Sequence, residues 1–105
     1  MKITFDKEYL DELFHTGKCS DKKHRYQPQV VRGYIKAILV LMEAKSVEDL
    51  YHFNSLHYEK LVGDKKGIES VRANSQYRIE FTTKEDVGET IVVICNILDL
   101  SNHYK

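Results

Sequence analysis

Hydrophobic and polar positions change period along this chain. It starts on "KITF", a short β-prone segment, and then turns helical. In "DKEYLDELFHTG", Leu10, Leu13 and Phe14 share one face, Asp6 is placed to cap the N-terminus and Gly17 to stop the helix. The lysine-rich "KCSDKKHRYQ" predicts a loop. A second helix should begin near Pro28, whose missing N–H is tolerated in a first turn. Val31, Tyr34, Ile35, Ile38, Leu41 and Met42 then recur at three- and four-residue spacing, and Leu39 and Val40 widen the apolar face. This is the longest element and the expected core helix. Ser46 to Asp49 has the spacing of a capping box, with Asp in place of Glu, and should open a short third helix that turns Val47, Leu50 and Tyr51 inward.

Gly63-Asp64 and Gly67 punctuate the next stretch as a loop, and the period then falls to two. "IESVRA" and "QYRIEFTT" flank "NS", which reads as a two-residue turn. Tyr77, Ile79 and Phe81 alternate with Arg78 and Glu80, giving one buried and one polar face. "KEDVGE" reads as a polar turn. "TIVVICNILDL" is apolar at nearly every position, as in a central strand covered on both sides. Helices first and strands later predict an α+β domain with N-terminal helices packed on a small antiparallel sheet.

Composition narrows the picture. A length of 105 residues fits one domain spanning 1–105. Sixteen basic residues balance 16 acidic ones, which argues against a general nucleic-acid coat but leaves room for a local basic patch. Cys19 and Cys95 form no CxxC, and Cys95 lies in an apolar run where a thiol acts as a small hydrophobe. The N-terminus lacks the apolar core of a signal peptide, and "AILVLM" is far too short to cross a bilayer, so a soluble cytoplasmic protein is expected.

Two features carry candidate chemistry. Lys60, Lys65, Lys66, Arg72 and Arg78 lie close together in sequence, and Arg72 and Arg78 become neighbours if the two strands pair across "NS". The planar donor fork of arginine suits phosphate. Such a pattern is more often a solvated sheet face with loop lysines. The second feature is the ending "NHYK": His103 and Tyr104 can move protons and Lys105 adds charge, whereas the common fate of such an ending is a frayed terminus. His15, His24, His52 and His57 form no metal-ligand spacing, and no phosphate-loop, dinucleotide or nucleophile-elbow motif is present.

"KLVGDKKGIESVRANSQYRIEF", from Lys60 to Phe81, resembles the central segment of HigB-like toxins, the killer-protein branch of the RelE/ParE toxin superfamily. The shared order is leucine, glycine-aspartate, a basic pair, glycine, a Ser-hydrophobic-Arg strand and a Gln-Tyr-Arg-Ile strand. "LDLSNHYK" is similar to the family's terminal aspartate-to-histidine-tyrosine ending. Together these segments cover about a third of the chain.

The resemblance implies a RelE/ParE-like fold and a cognate HigA-like helix-turn-helix antitoxin. It implies metal-independent cleavage of mRNA on the ribosome, with no cofactor and with the substrate's own 2′-hydroxyl as nucleophile. By the same resemblance Arg72, Arg78, Lys65 and Lys66 hold the scissile phosphate, and Lys60 and Lys105 add binding charge. His103 or Tyr104 transfers the proton, Asp99 orients one of them, and His57 is a lesser candidate. The alternatives are a ParE-like inhibitor of DNA gyrase and a non-catalytic binding module. The neutral net charge departs from the basic character common among ribosome-dependent nucleases.

Overall fold

A computed structural model describes residues 1–102. Strand β1 (Lys2–Phe5) is followed by helices α1 (Glu8–Thr16), α2 (Pro28–Glu43) and α3 (Val47–Leu50). Strands β2 (Glu59–Lys60), β3 (Glu69–Arg72), β4 (Arg78–Val87) and β5 (Ile91–Ser101) complete the fold. The five-stranded sheet has the order β1-β5-β4-β3-β2. It is antiparallel except where β1 runs parallel to β5, from Lys2 opposite Ile94 to Phe5 opposite Ile97. Among the described residues no helix is long and apolar enough to cross a membrane.

The helices cover one face of this sheet. Leu10 and Leu13 of α1 and Val30, Tyr34, Ala37, Ile38 and Leu41 of α2 pack with Val71, Ile79, Phe81, Cys95, Ile97 and Leu100. Gly17, with φ of 74°, closes α1 by donating its N–H to the Leu13 carbonyl, a left-handed cap that glycine adopts without steric cost. Pro28 opens α2 as expected. The buried stripe of α2 is rotated from the expected one: Val30 is buried, while Met42 and Leu39 are 40% and 50% exposed. Gly33 has a separate role. A Cβ there would lie 2.0 Å from the Ala73 carbonyl oxygen, so α2 touches the β3–β4 connection through bare backbone.

Several local expectations need correction. Lys7, not Asp6, is the N-cap of α1, and it makes no side-chain cap bond. Ser46 also caps without a side-chain bond; Asp49 Oδ2 instead accepts from the Lys45 N–H. Leu50 of α3 is buried, but Tyr51 is 59% exposed. The β3–β4 connection is longer than two residues and runs from Ala73 to Tyr77. Asn74 Oδ1 accepts from the N–H groups of Gln76 and Tyr77, so a side chain takes over the bonding that a tight turn gives to main chain. "KEDVGE" is mostly strand: Lys84 to Val87 pair with Ile94 to Ile91, and only Gly88 to Thr90 turn. β5 is not covered along its length, because Ile91 and Val92 extend beyond the helices and are exposed.

One irregularity interrupts the β4–β5 ladder. Phe81 lies opposite Ile97 and Glu80 opposite Asp99, so Leu98 is an extra residue in a β-bulge. Beyond it, Leu100 faces Ile79 and Ser101 faces Arg78.

Candidate active site

Side chains on a strand alternate between faces, and directly opposed residues share a face. Val71 and Ile79 are opposed on the helix side, so Ser70 opposite Glu80 and Arg72 opposite Arg78 fall on the other side. The two arginines therefore meet across the strands, as the sequence pattern implied. Opposed like charges are unfavourable in a sheet unless other groups hold them.

The holding groups are polar and local. Arg78 Nε donates to Ser70 Oγ at 2.9 Å, and its Nη2 donates to the His57 carbonyl. Arg72 Nε donates to the Asn74 carbonyl at 3.0 Å, and its Nη1 lies 3.3 Å from His57 Nε2. A guanidinium only donates, so this last contact selects the imidazole tautomer protonated on Nδ1. Among the described residues Arg72 makes no ion pair. His57 thus joins both arginines, one through its ring and one through its backbone. Its φ of 47° is left-handed, a conformation that costs a non-glycine residue about 1 kcal/mol. The residue ends the Asn54–Leu56 turn, and this bend brings it over the strands.

His57, Arg72 and Arg78 line a cleft of about 270 Å³, together with Glu59 and the turn residues Asn74, Ser75 and Gln76. The arrangement can hold an oxyanion between two fixed guanidiniums, with an imidazole beside it. The expected set was centred on His103, with His57 a lesser candidate. No periodicity marks a histidine whose placement depends on a left-handed turn.

The other expected residues divide. Lys65 reaches the same face but is engaged by Glu80 at 2.6 Å, whose side chain is only 6% exposed. Lys60 and Lys66 line a second, larger cleft of about 770 Å³. Asp99 accepts from Tyr9 Oη at 3.0 Å and from the Leu100 N–H. It ties the end of β5 to α1 and so fixes where the strand delivers Ser101, the residue opposite Arg78. Burial, and then the Asp99 carboxylate, pushes the Tyr9 hydroxyl well above its ordinary pKa. The same causes push Tyr26, which donates to the Leu100 carbonyl, up to about 12. Tyr9 also stacks on His24, with ring centroids 3.7 Å apart. His103, Tyr104 and Lys105 lie outside the described residues.

Known proteins resemble this chain at three levels. A solved YoeB/ParE toxin from Agrobacterium tumefaciens has the same fold, with a TM-score of 0.58 over 99% of this chain and 100% of that one at 16% identity. Toxin HigB-1 of Vibrio cholerae is 30% identical over 89 residues, covering 84% of this chain and 90% of that protein. A family model for the RelE-like toxin of the type II toxin-antitoxin system HigB matches residues 3–99. With the helices, most of the sheet and both arginine strands inside that span, the chain belongs to the HigB-like toxins, RelE-like toxins of type II toxin-antitoxin systems.

Proposed function

We propose that this toxin is a ribosome-dependent mRNA endoribonuclease acting in the cytoplasm, neutralised by a HigA-like helix-turn-helix antitoxin. The observation that carries the proposal is the opposed pair Arg72 and Arg78 with His57 bridging them in an open cleft. In the proposed reaction the 2′-oxygen of the substrate attacks the adjacent phosphorus. The bond to the 5′-oxygen breaks, and a base takes the 2′ proton while an acid supplies one to the leaving oxygen. The products are a 2′,3′-cyclic phosphate and a 5′-hydroxyl.

Negative charge grows on the phosphoryl oxygens as the fifth bond forms. Two guanidiniums fixed by Ser70, Asn74 and His57 stabilise that charge without reorganising, and no metal is required. Among the described residues, His57 can take a proton at Nε2 once the substrate displaces Arg72 Nη1 from it. His103 and Tyr104 follow Ser101, which the sheet sets beside Arg78, and they supply the second proton-transfer group. Asp99 acts by fixing the strand before them. Lys65 neutralises Glu80 beneath the phosphate, and Lys60, Lys66 and Lys105 contact flanking phosphates.

The test is induced expression in a bacterial host, with mapping of mRNA 5′ ends and scoring of DNA breaks. Cuts in frame with translation are expected. Growth arrest with intact mRNA and broken DNA would move the activity to gyrase. Soluble folded protein with neither effect would leave a binding module.

A further inference from the structure

The cleft that holds Lys60 and Lys66 differs in character from the arginine cleft. Its volume is about 770 Å³, and Val47, Leu61, Val62 and Ile68 give it apolar walls. Val62 is 84% exposed, an aliphatic side chain that the fold itself does not cover. Glu69 and Thr83 complete the lining. Glu69 lies opposite Phe81, on the helix side of the sheet, and is only 8% exposed. A carboxylate this buried requires hydrogen bonds. Tyr58 Oη donates to its Oε1 at 2.5 Å and Thr83 Oγ1 to its Oε2 at 2.6 Å. These hydroxyls fix its orientation. A carboxylate accepts at about four lone-pair positions, so each oxygen keeps room for a second donor. Among the described residues Glu69, Lys60 and Lys66 make no ion pair.

The two clefts lie on either side of the last strand of the sheet. Glu59 lines the arginine cleft, and the next residue, Lys60, lines this one. β2 consists of these two residues alone, and among the described residues no strand lies beyond it. A nucleic-acid strand held at Arg72 and Arg78 can therefore pass round this edge. Lys60 and Lys66 then meet a neighbouring phosphate. The base attached there enters the apolar cleft, whose aliphatic walls take its flat faces.

Glu69 selects among bases, because an ionised carboxylate only accepts. Guanine presents two adjacent donors on its Watson–Crick edge, N1–H and the N2 amino group, and both fit one carboxylate. Adenine and cytosine set one amino donor beside a ring-nitrogen acceptor, which meets the carboxylate lone pair to lone pair. Uracil offers one N–H between two carbonyls. Unstacked bases of single-stranded RNA are read on this edge. A well-placed bidentate pair separates the right base from the wrong one by about tenfold or more.

We propose that this cleft is a guanosine subsite for the substrate RNA, in which Glu69 accepts from guanine N1–H and N2–H while Lys60 and Lys66 hold the attached phosphate. The subsite rests on the nuclease reading and adds to it a preference for guanosine at a fixed distance from the cut. It lies apart from His57, Arg72 and Arg78, so it sets where the RNA is cut and not how.

The probes are 5′-GMP, 5′-AMP, 5′-CMP and 5′-UMP, titrated into the purified chain and followed by amide chemical shifts. GMP should bind at least about tenfold more tightly than the other three and shift the amides of Leu61 to Glu69 and of Thr83. Glu69→Gln exchanges one acceptor for a donor, the complement of adenine, so the preference should swing to AMP. Lys60→Ala with Lys66→Ala should weaken GMP by about tenfold while the nucleoside guanosine stays within about twofold. Both lysines are exposed, so this variant keeps the wild-type melt and tests the site even if Glu69→Gln fails to fold. In cells, mapped cuts should carry guanosine at one offset, and less so in the lysine variant. Equal affinity for the four nucleotides, or shifts confined to the arginine cleft, overturns the proposal. GMP selectivity without guanosine at a fixed offset overturns the assignment to RNA and leaves a site for a free nucleotide. An absence of mRNA cleavage would sink the nuclease reading, while the titration still decides whether the cleft takes guanine.

Discussion

The two faces of β3 and β4 differ in what secures them. Toward the helices, Val71, Ile79 and Phe81 are fully buried in an apolar cluster. On the opposite face Ser70 and Glu80 are buried as well, but by hydrogen bonds and an ion pair with Arg78 and Lys65. Apolar contacts are non-directional and tolerate substitutions of equal volume. Polar contacts fix positions, and each one removed leaves a group to satisfy. One pair of strands therefore supplies the bulk of stability on one side and geometry on the other, within the same eight or so residues.

The comparison is broken most severely from the apolar side. Phe81→Ala should cost about 3–5 kcal/mol, enough to unfold much of a domain of this size, read as a lower denaturant midpoint. Arg78→Ala should do the reverse: the proposed cleavage should fall about 100-fold or more, while stability drops by about 1–2 kcal/mol. A variant that loses both in proportion would mean the two faces are not separable. Gly33→Ala tests the coupling between them, since the added methyl collides with the Ala73 backbone. It should cost about 1–3 kcal/mol and lower cleavage as well, because the displaced turn carries Asn74, the partner of Arg72.

The smallest effect is a pH dependence at the end of β5. Tyr26 is raised from 10.0 to about 12, so the folded state holds its proton more tightly than the unfolded state does. Its contribution is complete below pH 10 and is lost as pH rises toward 12. Alkaline titration should show the stability falling through that window, less steeply in Tyr26→Phe.

Alternation in "QYRIEF" and the period of α2 were legible because each reports a local geometry. What escaped the sequence was set by distant partners. β1 gains its strand partner from residues more than 90 positions away, which no local period encodes. Lys65 looked like a free cation because Glu80 approaches it only after β3 and β4 have paired. The β3–β4 connection was misjudged because Asn74 bonds through its side chain. The exposed start of β5 was misjudged because β-branched runs specify a strand but not how far the helices over it extend. His57 was ranked below His103 for a related reason: its ring reaches Arg72 from a backbone bend, not from a repeating face.

The extra residue at Leu98 acts as a parity switch. Up to Ile97 the odd-numbered positions of β5 fill the core, as Cys95 and Ile97 do; after it the even-numbered Leu100 takes that place and Ser101 joins Arg78. Removing Leu98 would restore a regular ladder and leave both roles in place, whereas keeping it in a ladder without the bulge would exchange them, turning Leu100 toward the arginines and Ser101 toward the helices. At this point of the chain a one-residue deletion is a change of length rather than of meaning, and it is the bulge that keeps the last strand positions in frame.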